Sequence, residues 1–175
     1  MSSNRKRNNE ALDAGGNVEN VIYFENDNFY VKDSFLVTRN GRKSLEKGLF
    51  SKTHYKPDDM IGQFKGNILK LHEYNILLEA GVTKPGYGIF IENDYVLDCY
   101  MASRKYECLA SYANSPYKCI NMYTNMVATD NCGLYYNKMC TIACPDVYLV
   151  AKSHIAPDDE LLCLYGYEED QKRVI

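Results

Sequence analysis

Short apolar runs separated by turn residues make up most of the chain from Val21 onward. The runs are "VIYF", "SFLVTRNGRK", "MIGQFKG", "YGIFIENDYVLD", "VYLVAKS" and "LLCLYG". Their length and close spacing indicate β-strands. Two turn signals fit this interpretation: Asn-Gly at 40–41, and residues 92–94, where we predict a hairpin between two strands.

One segment departs from the strand pattern. In "NILKLHEYNILLEAG", residues 67–81, Ile68, Leu71 and Leu78 recur at mixed three- and four-residue spacing, and Gly81 follows as a helix stop. We therefore predict a short helix there. No internal repeat is visible, and the sequence predicts a mainly β fold with one or two inserted helices.

The domain organisation follows from length and polarity. A chain of 175 residues with 46% apolar residues suffices for one domain with its own core. We expect a disordered N-terminal tail over residues 1–20, one domain over 21–167 and a short C-terminal tail over 168–175. No apolar leader or membrane span is apparent, so we expect a soluble, intracellular protein.

The charge pattern bears on partners. A net charge of −3 with mixed signs is unfavourable for direct binding of nucleic acid, which needs a basic face, and a basic partner suits it better. Two acidic groups, 158–160 and 168–170, are expected to be solvated turns. The alternative is that their field attracts a basic peptide.

The cysteines and histidines give no strong chemical signal. Seven cysteines without a CxxC pair predict free core thiols, no disulfide framework and no metal, with a site at Cys132, Cys140 and Cys144 as the weaker alternative. His54, His72 and His154 are scattered, and we expect structural roles for them. Motifs for phosphate binding, zinc hydrolysis and acyl transfer are absent from the sequence. Sixteen tyrosines without a tryptophan indicate either codon bias or a site built from phenol rings.

Five segments occur in a suggestive order. They are "SLEKGLFS", "DDMIGQFKG", "YGIFIENDYVLDCY", "CLASYANSP" and "VYLVAKSHIAPDDELLCLYG". Together they resemble the SET domain, the β-rich family of lysine methyltransferases, over residues 35–167. The most specific match is the run from Val150-Ala151 through Ile155 and Asp159-Glu160-Leu161 to Tyr165-Gly166. The other matches are Gly48-Leu49-Phe50, Phe64-Lys65-Gly66, Leu97-Asp98 and Ala113-Asn114-Ser115.

The chain also departs from the family pattern. Glu46 replaces a glycine, Ser115 replaces a histidine and Ser111 stands where an arginine is common. The sequence given ends nine residues after Gly166, without the cysteine-rich tail of many relatives. The chain is thus similar to minimal, viral-like forms of the domain.

The resemblance implies a fold and a reaction. The fold would be small β-sheets with a threaded, pseudoknot core. The reaction would be methylation of a protein lysine by S-adenosylmethionine, which becomes S-adenosylhomocysteine, without a metal. The expected substrate is a basic protein such as a histone tail, in the nucleus, a host nucleus for a viral protein, or in the cytoplasm. A monomer or a homodimer is expected.

The resemblance also assigns residues. Tyr165 would be the catalytic hydroxyl. The methyl donor would be held by Lys47, Gly48, Leu49, Asn114, Ser115 and Tyr112, the last also bordering the lysine channel. The channel itself would be lined by Tyr87, Tyr100 and Cys163. The small Cys163 side chain favours di- or trimethylation over monomethylation, unless another tyrosine fills the space.

Two other functions stay open. The altered positions Glu46 and Ser115 are compatible with a catalytically silent SET-like module that binds a basic peptide. A small β interaction domain unrelated to the family is the third possibility.

Overall fold

The computed structural model describes residues 21–38, 47–91, 94–116, 119–121, 128–136 and 146–165. Within them the chain is mainly β, with small antiparallel sheets, as the apolar pattern predicted. The strands are β1 Phe24–Glu25, β2 Phe29–Asp33, β3 Leu36–Thr38, β4 Lys47–Ser51, β5 Met60–Gln63, β6 Asn67–Lys70, β7 Gly88–Ile91, β8 Tyr95–Asp98, β9 Cys119–Asn121, β10 Cys132–Tyr136 and β11 Val147–Ala151. The helices are α1 Leu71–Glu79, α2 Tyr100–Arg104 and a 3-10 turn, Leu109–Tyr112.

The described strands form four sheets, and three of these contribute side chains to one core. Three have three strands, in the orders β1-β2-β4, β10-β11-β5 and β6-β8-β7, and β3 pairs with β9. The core contains side chains from several sheets, including Val31, Leu49, Leu97 and Leu149, each no more than 3% exposed. Because every sheet is small, the core is closed by sheets packing on one another and on the 3-10 turn rather than by one large sheet.

Helix α1 lies within the segment predicted to be helical. Gly81 follows it with φ of +69°, the left-handed conformation that ends helices at glycine. The first four residues of the predicted segment, 67–70, form strand β6 instead. Ile68 pairs with Leu97 of β8 there, so its apolar side chain belongs to a sheet and not to the helix. The prediction was wrong at this boundary because a neighbouring strand competes for the same residues.

The predicted hairpin is confirmed, since β7 and β8 pair antiparallel on either side of residues 92 and 93. Residues 161–165 of the run "LLCLYG" do not form a regular strand. Leu162 and Cys163 make isolated parallel bridges to Asn114 and Cys132. This segment therefore ties two distant parts of the chain together instead of extending a sheet.

Two segments share one conformation, contrary to the expectation of no repeat. The first matched segment, residues 51–60, reads "SKTHYKPDDM", and the second matched segment, residues 151–160, reads "AKSHIAPDDE". Asp58 and Asp158 both have a positive φ, of 72° and 71°. Two backbone hydrogen bonds join Tyr55 and Ile155 reciprocally, each 3.0 Å long.

The pairing of the two matched segments is crossed. Asp58 N–H donates to the carbonyl of Ala151, and Asp158 N–H donates to the carbonyl of Ser51, at 2.9 and 2.8 Å. Each turn therefore pairs with the strand that belongs to the other copy. The two copies are related by an approximate two-fold arrangement, as in a symmetric contact where residue i meets j and j meets i.

Neither α-helix in the described part of the chain is long and apolar enough to cross a membrane. Several predictions fall outside the described residues: the N-terminal tail, the Asn-Gly turn at 40–41, Glu46, Gly166 and the C-terminal tail.

Candidate functional site

Asn114 joins two of the segments singled out in the sequence. Its Nδ2 donates to the carbonyl of Lys47 at the start of β4, at 3.1 Å, and more weakly to Glu160 Oε1 at 3.3 Å. Its own carbonyl accepts the N–H of Cys163 at 2.9 Å. Three regions far apart in sequence thus meet at one residue, which lies two positions after the 3-10 turn.

Tyr165, the predicted catalytic residue, lies beside this junction. Its hydroxyl donates to the carbonyl of Ala113 at 2.7 Å, and its ring packs partly buried against the core. Ala113 directly precedes Asn114, so the phenol is anchored to the backbone next to the residue that carries the amide. Tyr165 is thus hydrogen-bonded to the backbone beside Asn114, some fifty positions earlier in the sequence.

Glu160 is a site residue whose position the sequence did not predict. It was expected in a solvated acidic turn, whereas only 8% of it is exposed. Its carboxylate accepts hydrogen bonds from Ser34 Oγ at 2.5 Å and from Phe35 N–H at 2.8 Å. Burial raises the pKa of Glu160, and these hydrogen bonds partly offset that effect. Asp158 and Asp159 are exposed, as expected for the turn.

Gly48 is required by the carboxylate of Glu160. A Cβ atom at Gly48 would lie 2.9 Å from Glu160 Cδ and closer still to Oε1. Leu49 beside it is 1% exposed, and its carbonyl accepts the N–H of Leu161 at 2.8 Å. Strand pairing therefore engages the backbone at both predicted donor positions, and their binding role stays a prediction.

Four tyrosines form what we call the tyrosine cluster: Tyr87, Tyr100, Tyr106 and Tyr112. The rings of Tyr87 and Tyr100 meet edge to face at 5.2 Å, and those of Tyr106 and Tyr112 stack at 5.8 Å. Tyr112 donates to the carbonyl of Ser103 at 2.9 Å. Burial raises the pKa of Tyr112, and Tyr106 and Tyr87 add to the effect, so the two pairs are neighbours.

The cluster contains three predicted residues and one that was missed. Tyr106 lies outside the motifs that carried the resemblance, and nothing in its local sequence distinguishes it from the other tyrosines. Its φ of +58° is unusual for a residue with a side chain. That conformation was not visible in the sequence.

The Lys47 ammonium lies in this aromatic environment. It is 3.9 Å from the ring centre of Tyr23 and donates to the hydroxyl of Tyr106 at 3.3 Å. Its backbone carbonyl accepts from Asn114, as described above. Lys47 thus connects the Asn114 junction with the tyrosine cluster.

Cys163 and Ser115 complete the predicted set. Cys163 is fully buried, and its backbone bridges to Cys132. Burial raises the pKa of Cys132 to about 12, with Cys163 contributing. The small thiol therefore packs beside β10, and its role in limiting methyl number stays a prediction. Ser115 is partly buried directly after Asn114.

The cysteines in the described ranges are free, and four of the five are fully buried, in agreement with the predicted core thiols. Cys108 Sγ accepts the N–H of Lys65 at 3.1 Å. No group of three metal-binding side chains occurs among the residues that the structure describes. Cys140 and Cys144, two members of the alternative metal site, lie outside them.

A comparison of the sequence with protein-family models and with curated proteins finds no match.

Proposed function

We propose that the protein transfers a methyl group from S-adenosylmethionine to a lysine side chain of a protein substrate. The observation that carries the proposal is the hydrogen bond of the Tyr165 hydroxyl to the carbonyl of Ala113, at 2.7 Å. Ala113 lies between Asn114 and Tyr112, the last residue of the 3-10 turn and a member of the tyrosine cluster. A hydroxyl, an amide and several phenol rings near one another suit a reaction that needs positioning and desolvation rather than a metal.

We propose a threaded core of the SET type for the fold. Its support is the junction at Asn114, which bonds to Lys47 on one side and to Leu162 and Cys163 on the other. A threaded connection of this kind is rare in proteins, so it would be a specific feature of the fold.

The residues predicted to hold S-adenosylmethionine are suited to it only in part. Asn114 Oδ1, at a partly buried side chain, has no hydrogen-bond partner among the described residues, and it is an acceptor suited to an amino group. Gly48 and Leu49 contribute less, since strand pairing and Glu160 engage them. Lys47, Asn114, Ser115 and Tyr112 would then hold most of the donor. S-adenosylmethionine supplies a methyl group activated by its sulfonium charge.

The chain's own residues would prepare the lysine. An ammonium with an ordinary pKa of about 10.4 is almost never neutral at physiological pH. Phenol rings attract the cation, and their low-dielectric surroundings favour its loss of a proton. Tyr87, Tyr100 and Cys163 would line the lysine channel, and the Tyr165 hydroxyl would orient the amine.

The test is transfer of radiolabelled methyl to core histones and to other basic proteins, with mass spectrometry to count methyl groups. Tyr165→Phe is expected to lower the rate about a hundredfold or more, as loss of a catalytic positioning group does. Tyr135→Phe is the matched control, because Tyr135 is 48% exposed on β10. No transfer by the wild type, or equal rates for the two variants, would contradict the proposal.

A catalytically silent module that binds a basic peptide is the second candidate. It is favoured by Lys47, whose ammonium already lies over the ring of Tyr23 and bonds to Tyr106, so aromatic groups here do accept a lysine cation. Binding of a lysine-rich peptide without any methyl donor, combined with no transfer, supports this function. A histone-tail substrate in the nucleus belongs to the first candidate.

A further inference from the structure

A cleft of about 440 Å³ opens on the sheet β1-β2-β4, on the opposite face from the main core. Tyr30 and Lys32 of β2 line it, whereas Val31 between them points into the core. Pro157 and Asp158 of the second matched segment form the facing wall. The size is within the range of small-molecule sites. None of the residues proposed for methyl transfer lines this cleft.

Lys32 is the central charged group. Its ammonium lies 4.4 Å from the ring centres of both Phe35 and Phe50, and 5.3 Å from that of Tyr30. No hydrogen bond or ion pair joins it to any residue in the described ranges. The rings hold the ammonium in place, and within the described ranges its N–H donors have no acceptor.

The neighbouring carboxylates are already engaged. Asp158 Oδ1 accepts the hydroxyl of Tyr30 at 2.9 Å, and Glu160 is bonded inside the fold. Glu25 pairs with Lys52 at 3.6 Å on the cleft wall. Burial lowers the pKa of Lys32 despite the charges of Asp158 and Glu160, which act in the other direction. These acids therefore do not fully replace the water that the ammonium lost.

We propose that this cleft binds a small monocarboxylate with an apolar body, whose carboxylate meets the Lys32 ammonium. An anion supplies the missing acceptor in a charge-assisted hydrogen bond. Ile22, Pro157 and the ring of Tyr30 offer apolar surface for the remainder of the ligand. The negative charges of Glu25 and Asp158 disfavour a dianion such as phosphate, because each added charge is repelled at close range.

The test uses 4-phenylbutyrate as the probe, with its uncharged amide as the matched compound, in a titration followed by amide NMR signals of the full chain. We expect shifts at Tyr30, Lys32 and Asp158. The amide should bind about tenfold more weakly, as the loss of one charge-assisted hydrogen bond predicts. This comparison needs no variant, so it does not depend on the folding of one.

Variants then assign the anion contact. Lys32→Met should weaken phenylbutyrate about tenfold, while Lys32→Arg retains binding, since a guanidinium also donates to a carboxylate. Lys105→Met removes an exposed positive charge elsewhere and should change nothing. A tripeptide ending in phenylalanine, as free acid and as amide, distinguishes a chain terminus from a free acid as the source of the carboxylate.

Equal binding of acid and amide, tighter binding of inorganic phosphate, or shifts confined to other residues would overturn the proposal. The site does not rest on methyl transfer. A chain that binds phenylbutyrate without transferring methyl groups supports the cleft alone, and the reverse result supports the enzyme alone.

Discussion

The two matched segments share a conformation, and their burial differs most at the final residue. Met60, at the end of the first, is 59% exposed, whereas Glu160, at the end of the second, is 8% exposed. The same turn is thus followed by the exposed side chain of Met60 in the first segment and by the buried carboxylate of Glu160 in the second. The comparison teaches that similar backbones can place their final residues very differently, and the buried Glu160 then bonds to Ser34, Phe35 and Asn114.

Substituting each of Glu160 and Met60 by the residue found at the other position should give the largest difference in stability. Glu160→Met should lower the free energy of unfolding by about 3 kcal/mol, since it leaves Ser34 Oγ and the Phe35 N–H buried without their acceptor. Met60→Glu is the matched control, and it should change stability by no more than about 0.5 kcal/mol at an exposed position. Urea denaturation of both variants measures the contrast. Equal effects would mean that the two positions are equivalent after all.

Glycine-to-alanine substitutions extend the comparison to the strands. Gly48→Ala should cost about 2 kcal/mol, because the new methyl group meets a carboxylate that hydrogen bonds hold in place. Gly62→Ala should cost little, since the nearest atom to its Cβ is Ala110 Cβ at 3.8 Å. Thermal unfolding distinguishes them. The interpretation of Gly48 fails if the alanine is tolerated as well there as at position 62.

The turns themselves should respond alike. Asp59 Oδ2 accepts the N–H of Lys56 and Asp159 Oδ2 accepts that of Ala156, both at 2.7 Å. Asp59→Ala and Asp159→Ala should each lower stability by about 1 kcal/mol, as the loss of a side-chain cap does. Denaturant midpoints of the two variants provide the check. A clear inequality would show that the matched segments contribute differently to the fold, not only to the site.

The pH dependence of stability also distinguishes Glu160 from Met60, and here we expect the smallest effect. Burial raises the pKa of Glu160 above its ordinary 4.5, so the folded protein holds this proton more tightly than the unfolded chain. Its contribution to stability is therefore present below about pH 4.5 and is lost as pH rises through the folded pKa.

Glu160→Gln should remove this slope, whereas Met60→Gln should leave it unchanged. Unfolding by urea at a series of mildly acidic pH values measures the slope. A slope that survives in Glu160→Gln would assign the proton to another group.

The predictable part of the fold is local. Strands over 60–63, 88–91, 95–98 and 147–151 and the helix ending before Gly81 follow from patterns within each segment. The buried state of Glu160 does not, because its partners Ser34 and Phe35 lie more than a hundred positions away. An acidic cluster in a turn is usually solvated, and only the distant pairing reverses that expectation.

In the candidate site, too, some residues could be predicted from local sequence motifs and others depend on contacts formed only in the folded chain. Asn114 and Tyr165 were singled out because they lie in ordered motifs, and the structure bonds Asn114 to Lys47 and Tyr165 to Ala113, the residue before Asn114. Tyr106 was missed, since a ring that joins a cluster only through folding leaves no sequence pattern. The matched segments were a missed signal that the sequence did contain, as "PDD" recurs with the same flanking histidine and lysine.

The crossed pairing of the two matched segments has a consequence for how the chain folds. Neither turn can complete its hydrogen bonds until the other segment, a hundred positions away, lies beside it. The chain between them must therefore lose conformational entropy before these contacts can stabilise the fold. Contacts of such long sequence separation are associated with slow folding. Two fragments separated at residues 92–93 should each fail to fold alone and should recover structure when mixed, because each carries the strand that the other one's turn requires.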